Sequence, residues 1–290
     1  MEEVLKQPSG NNPITADLSV SSDNTRVTLD ELLRAVEARS MTPDEFLKVL
    51  WAASAGHRRE LRRCAPGTVD VYRTRPFDAA ERTATISALS YPPADKCVLQ
   101  RASGDREQVF YGSAGLPTTL AESRVKAGQH IVVSRWRNIE ELLLQPVGLT
   151  NEDGLERVYR HIFTERSEAI YPYSSKVAEH LLKGDLISGL LYPSIANNNM
   201  AHNVAIKRDH VDNRLRFVNA TLYSVNSITS DAAYSVTPVD FATPLPDARL
   251  DWKGRTKQWK AKKQGEALHL VSNGWDWNAF DAEGRYVDPE

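Results

Sequence analysis

The stretch that most limits how this chain can fold runs from Gln100 to Glu122, QRASGDREQVFYGSAGLPTTLAE. Arg101, Ala102, Ser103 and Gly104 lead into a charged turn at Asp105-Arg106-Glu107, and Val109-Phe110-Tyr111 reads as a short apolar strand. Gly112-Ser113-Ala114-Gly115 breaks that strand. Pro117-Thr118-Thr119 then opens a helix expected to carry Glu122 in its first turn and to run to about Lys126. A strand that stops in small residues lets backbone approach a ligand closely, and the start of a helix offers free N–H groups to an anion. Arg101, Tyr111 and Glu122, so near one another in sequence, are the components of an anion-and-sugar site. The same residues also have a plainer reading. Thr119-x-x-Glu122 has the form of a capping box, which would make Glu122 a helix cap, and Tyr111 would be core.

Size and charge narrow the classes. At 290 residues the chain can bury about three quarters of its unfolded surface, enough for one large domain or two smaller ones. Hydrophobic residues at 41% and charged residues at 26% are the proportions of an ordinary globular protein. A formal net charge of -2 gives no field that would gather nucleic acid or anionic membrane. No apolar run approaches the ~20 residues a bilayer span needs. The acidic, polar start MEEVLKQPSGNNP does not read as a signal peptide. Cys64 and Cys97 make a weak case for a disulfide and none for zinc, which needs about four ligands. The expectation is a reduced, cytoplasmic protein without a metal; an effector exported without a cleaved leader would have the same features.

Residues 1–27, rich in Ser, Asn, Pro and Asp, read as a flexible lead-in, and residues 28–66 as a helical segment. Thr28-Leu29-Asp30-Glu31 and Thr42-Pro43-Asp44-Glu45 are both capping boxes, the second with proline at the first helical position. Phe46, Leu47, Val49, Leu50 and Ala53 form a stripe that must pack on something. The second helix is expected to end in the basic cluster His57 to Arg63, which reads either as a phosphate holder or as a solvated last turn complementing the helix dipole. Pro66-Gly67 is the expected boundary.

Beyond it, strands are expected at Val69–Arg73, Thr83–Leu89, His130–Trp136, Leu190–Tyr192, Asn203–Lys207 and Leu215–Val225, and helices over 138–145, 151–167 and Val177–Leu182. Helices and short strands mix without regular βα alternation, so the class is α+β. No G-x-G-x-x-G or P-loop signature occurs. His202 lies beside the loop Asn197-Asn198-Asn199, where a lone histidine reads as a surface residue rather than a base. Residues 229–290 form a polar, proline-spotted extension packing on the core. In it, Trp252 to Lys263 interleaves tryptophan with lysine, as single-strand nucleic-acid binders do. The near-neutral charge favours a surface segment docked by its aromatics, and Trp275, Trp277 and Phe280 are expected to pack as well.

Several segments together resemble the RES domain family, named for its arginine, glutamate and serine. They are Tyr72-Arg73-Thr74-Arg75, Ser90-Tyr91-Pro92-Pro93, Gln100-Arg101-Ala102, Val109 to Ser113, Thr119-Leu120-Ala121-Glu122, Gly189 to Ser194 and Asn203 to Ile206. Each is weak alone, but the ordered set over about residues 68 to 225 is specific. The resemblance implies an ADP-ribosyltransferase-like mixed sheet over 67–228 and an NAD-consuming toxin restrained by a protein antitoxin with a helix-turn-helix domain. It places the family arginine at Arg73, the glutamate at Glu122 and the serine at Ser194, with Tyr111 and Arg101 in the NAD pocket. One departure is Ser103, where family members often carry Asn.

The chemistry expected of that set is cleavage of the nicotinamide–ribose bond, with inorganic phosphate, water or a protein side chain as acceptor. Positive charge grows on the ribose as the bond breaks, and Glu122 would stabilise it. Arg73 and Arg101 would grip the pyrophosphate, Tyr111 would stack on nicotinamide or ribose, and Ser194 would position the nicotinamide amide or the acceptor. No base is evident that would make Ser194 a covalent nucleophile. The non-enzymatic alternative is a RES-fold binding module. Residues 28–66 are left with three roles: docking on the core, holding a homodimer together or contacting the antitoxin.

Overall fold

The computed structural model describes residues 29–54, 60–77, 85–150, 154–196, 201–228, 234–252, 268–272, 277–280 and 286–287. Two helices come first, α1 (Leu29–Glu37) and α2 (Pro43–Ala53). α2 begins as its sequence dictates: Thr42 Oγ1 accepts from the Glu45 N–H at 3.3 Å, and Glu45 Oε2 accepts from the Thr42 N–H at 2.8 Å. Thr28, ahead of α1, lies outside the described residues. Strands β1 (Arg62–Cys64) and β2 (Asp70–Phe77) flank the Pro66-Gly67 turn, where Gly67 has φ +76°. The central elements are β3 (Val109–Ser113), α3 (Leu116–Glu122), β4 (His130–Asn138) and β5 (Leu142–Pro146). After them come α4 (Gly154–Thr164), α5 (Tyr171–Leu181), β6 (Gly189–Pro193), β7 (His202–Lys207), α6 (Arg208–Arg214) and β8 (Leu215–Ile228). The chain closes with β9 (Tyr234–Pro244), β10 (Leu250–Trp252), β11 (Leu268–Ser272), β12 (Trp277–Phe280) and β13 (Tyr286–Val287).

Among the described residues these strands form one mixed sheet in the order β1-β5-β6-β7-β3-β2-β4-β8-β9-β11-β12-β13, with β10 on β9. Only β5 and β6 run parallel in it. The fold is therefore α+β. Alternation along β3 explains its central place: Val109 and Tyr111 face a helical layer, while Phe110 on the other face packs edge-on to Trp136 at 5.4 Å. The helical layer joins α1, α2, α4 and α5 to β6, with Leu32, Val36, Phe46 and Leu50 buried beside Ile162, Phe163, Val177 and Leu190. The stripe on α2 thus packs on α5.

One junction in the sheet is thin. β2 pairs with β4 along its whole length, from Asp70↔Arg137 to Phe77↔His130, and β3 with β7 from Val109↔Lys207 to Ser113↔Asn203. β2 and β3 share a single pair, Tyr72↔Ser113. Gly112 sits at that junction because nothing larger fits: a Cβ there would lie 2.9 Å from the Tyr72 carbonyl oxygen.

Several sequence expectations are corrected. Residues 138–145 are not helical: Asn138 ends β4, and Leu142–Pro146 is a strand held between β1 and β6. The Glu-Leu-Leu-Leu-Gln run favours a helix locally, but two strand partners that bury Leu142 and Leu144 outweigh it. In Thr83–Leu89 the described residues hold one bridge, Thr85↔Arg249, and a 3-10 turn at Ser87–Leu89. α2 stops at Ala53, before the basic cluster, whose Arg62 and Arg63 lie on β1 opposite Leu144 and Leu143. Helix α5 begins at Tyr171, with Pro172 in its first turn, and α6 between β7 and β8 has no counterpart in the sequence reading. Trp277 and Phe280 lie on β12; Trp275, the loop 197–199 and residues 253–263 fall outside the described residues.

Candidate functional site

A cavity of about 710 Å³ lies where β2, β3 and α3 meet the ends of β6 and β7. Arg73, Arg101, Tyr111 and Glu122 all line it, with Tyr192 and Pro193 just ahead of Ser194.

Glu122 is the last residue of α3, not part of its first turn, and the helix closes at Ser123. The cap of α3 is Gly115, which makes no side-chain cap bond. Thr119 sits mid-helix, where its Oγ1 accepts from the Thr74 N–H at 3.0 Å and so ties α3 to β2. The capping-box reading of Thr119 and Glu122 therefore fails, and so does the helix-start anion site: the cavity takes the C-terminal half of the helix. Proline at the start and the switch to a left-handed residue at Arg124 (φ 49°) set both ends.

Two buried groups hold the exposed Glu122 carboxylate. Ser194 Oγ and Asn203 Nδ2 each donate to Oε1 at 2.6 Å, which leaves Oε2 for a ligand. Asn203 is oriented in turn by Ser113, whose hydroxyl donates to Asn203 Oδ1 at 2.8 Å. Strand register brings this about. Ser113 lies opposite Asn203 across β3 and β7, and Tyr192 lies opposite Asn203 across β6 and β7, two residues before Ser194. Asn203 stands in a family motif, but its role and that of Ser113 were not read from the sequence. Both stand in segments that carry the family resemblance and at strand ends, which is the signal that could have found them.

Arg73 is half-buried on β2. Its Nη1 donates to the Tyr111 carbonyl across the thin β2–β3 junction, it stacks on Phe110 at 5.5 Å, and its Nε is buried without a hydrogen-bond partner. Burial, with the nearby charge of Arg75, lowers its pKa to about 9. A cation with a buried, unused N–H beside a cavity is a receptor for an anion. Tyr111 donates its hydroxyl proton to Ser103 Oγ at 2.9 Å and accepts from the Ala102 N–H at 3.0 Å; burial pushes its pKa up. Ser103, the departure from the family pattern, is thus the partner of Tyr111. Arg101 donates from Nη1 to the Ile162 carbonyl at 3.4 Å and from Nη2 to the Glu165 carbonyl at 2.9 Å. It also stacks on Tyr171, with 5.1 Å to the ring centroid, so it closes the end of α4 while facing the cavity. Arg124, Arg166 and Tyr171 complete the lining and were not singled out from the sequence.

Other residues stand apart. His202 lies opposite Pro193 in the β6–β7 ladder and does not line the cavity; burial lowers its pKa, helped by Arg62. Cys64 and Cys97 are free, buried thiols. No helix among the described residues is long and apolar enough to cross a membrane.

Fold and site define an α+β protein with one carboxylate, Glu122, pinned at an arginine-lined cavity. The RES domain profile matches residues 70–226, more than half of the chain, and the chain belongs to the RES domain family. The match runs from β2 to β8 and includes Arg73, Glu122, Ser194, Ser113 and Asn203. No curated protein matches the chain. Membership brings an NAD-related, toxin-like enzymatic role at the level of the family.

Proposed function

We propose that the protein degrades NAD by cleaving its nicotinamide–ribose bond, with phosphate or water as acceptor. The observation that carries this reading is the Glu122 carboxylate, fixed through Oε1 by Ser194 and Asn203, in a cavity shared with Arg73, whose Nε is buried and unbonded. As the bond from ribose C1′ to the nicotinamide nitrogen breaks, nicotinamide leaves with the electron pair and positive charge develops on the ribose. Oε2 of Glu122 stabilises that charge and orients the ribose hydroxyls, and it needs no reorganisation because its partner oxygen is already held. A phosphate oxygen or water then bonds to C1′; water releases its proton. Ser194 acts through Glu122 in this scheme, which is why it needs no base of its own. Tyr111 has its hydroxyl engaged by the 102–103 loop and offers its ring to the ligand. A protein antitoxin with a helix-turn-helix domain is the partner that family membership favours.

The test is NAD turnover by purified protein, with and without inorganic phosphate, beside Glu122→Gln, with products identified by mass. Loss of NAD that needs Glu122 and phosphate supports phosphorolysis, and loss without phosphate supports hydrolysis. Turnover only when a protein acceptor is added replaces degradation with protein ADP-ribosylation. If NAD survives every condition, the catalytic reading is wrong and a binding module takes its place.

A further inference from the structure

The inner arginines of the cavity are partly committed to the protein itself. Both terminal nitrogens of Arg101 donate to carbonyls at the end of α4, and Nη1 of Arg73 donates to the Tyr111 carbonyl. At the mouth stand two further arginines, Arg124 and Arg166, both exposed, and no hydrogen bond or ion pair holds either guanidinium among the described residues. The lining carries four arginines against the carboxylates of Glu122 and Glu168, a surplus of charge opposite in sign to a diphosphate.

Arg124 bears a second mark. Its φ of 49° is left-handed, the conformation that follows a helix end and that favours glycine. Among the described residues, four non-glycine residues have positive φ, namely Arg39, Arg106, Arg124 and Ala248, and of these Arg124 alone lines the cavity. Strained backbone at a ligand cavity points to a side chain that is needed where it stands. It lies two residues past Glu122, so a ligand with its ribose at Glu122 brings the adjoining diphosphate towards it.

We infer that Arg124 and Arg166 form the subsite for the diphosphate of the substrate, at the mouth of the inner pocket that Arg73 and Arg101 line. This rests on the NAD reading above, and the experiment separates the two. Steady-state NAD turnover, thermal melting and calorimetric titration with ADP-ribose are measured on wild type, Arg124→Gly, Arg166→Ala and Arg106→Gly. Arg124→Gly is expected to melt at or above the wild-type temperature, because glycine relieves the left-handed backbone, and yet to raise KM for NAD and Kd for ADP-ribose about tenfold. Its kcat stays within about twofold, the signature of lost uniform binding. Arg166→Ala weakens binding in the same sense, and in both variants added salt raises KM less steeply than in wild type. Arg106→Gly relieves the same strain away from the cavity and leaves KM unchanged.

Unchanged KM and Kd in both Arg124→Gly and Arg166→Ala, with wild type turning over NAD, overturn the subsite and leave the NAD reading standing. Wild type that binds ADP-ribose but spares NAD removes the reaction, and the calorimetric comparison still decides the subsite. Wild type that binds neither ligand overturns both.

Discussion

An exposed glutamate at a helix end normally samples several rotamers, and a catalytic one cannot afford that freedom. Glu122 is fixed by donors 72 and 81 residues away in sequence, both buried, with Ser113 fixing Asn203 in turn. Removing Asn203 strips a charge-assisted bond from Glu122 and leaves the buried Ser113 hydroxyl without its acceptor, a loss of about 1–3 kcal/mol. Asn203→Ala is therefore expected to lower kcat roughly 10- to 100-fold with KM little changed, as steady-state kinetics would read. Equal kcat in the variant would mean that Ser194 alone positions the carboxylate. Glu122 and Ser194 were legible because each stands in a recognisable motif. That they bond to each other was not, since hydrogen bonds between distant segments have no local signature. Ser103 was seen only as a departure, and its bond to Tyr111 needed the β3 backbone to bring the two together.

Elements were legible where local signals agreed with tertiary ones. The Thr42 capping box, the β3 strand and the β4 run at His130 all formed as read. Failures came where a strand's partners decide, as for β5, or where a motif's form occurs without its geometry, as for Thr119 and Glu122 in α3. The β2–β4 pair shows how register carries electrostatics. Asp70 lies opposite Arg137 and accepts from its Nε at 2.9 Å and its Nη2 at 3.0 Å, with Arg135 as a further donor. Burial alone would raise the Asp70 pKa, but hydrogen bonds from Arg137 and Arg135 outweigh it and hold the carboxyl below its ordinary value. A depressed carboxyl stabilises the fold above the unfolded-state pKa of about 4, and the contribution is lost as pH falls through the folded one. Asp70→Asn is thus expected to cost about 1 kcal/mol at neutral pH, discounted for partial exposure, and to lose that deficit in acid. Parallel thermal melts of both proteins from pH 7 to 3 check it; a deficit that does not shrink in acid would assign the loss to packing.

For the whole molecule, the helices ahead of the family-matched segment complete its core. Residues 28–66 had three readings in sequence, and the structure seats α1 and α2 on α4 and α5: Phe46 packs edge-on to Tyr173 at 5.5 Å, and the Tyr173 hydroxyl donates to the Met41 carbonyl at 2.6 Å. The amphipathic stripe announced that something would cover it, but which face of which helix is a property of the assembled layer. Phe46 is fully buried, so Phe46→Ala is expected to cost about 3–5 kcal/mol and to lower the melting temperature sharply. Activity per folded molecule should survive, since Glu122 and its partners lie elsewhere; its loss below the melting transition would tie the helical layer to the site.

The lone Tyr72↔Ser113 pair between β2 and β3 divides the sheet into two leaves. Arg73 belongs to one leaf, while Asn203 and the strand leading to Ser194 belong to the other. A molecule gripped by both would work as a rivet through the spine of an open book. What the cavity holds and how stiffly the two leaves are bound together are then a single property of the protein.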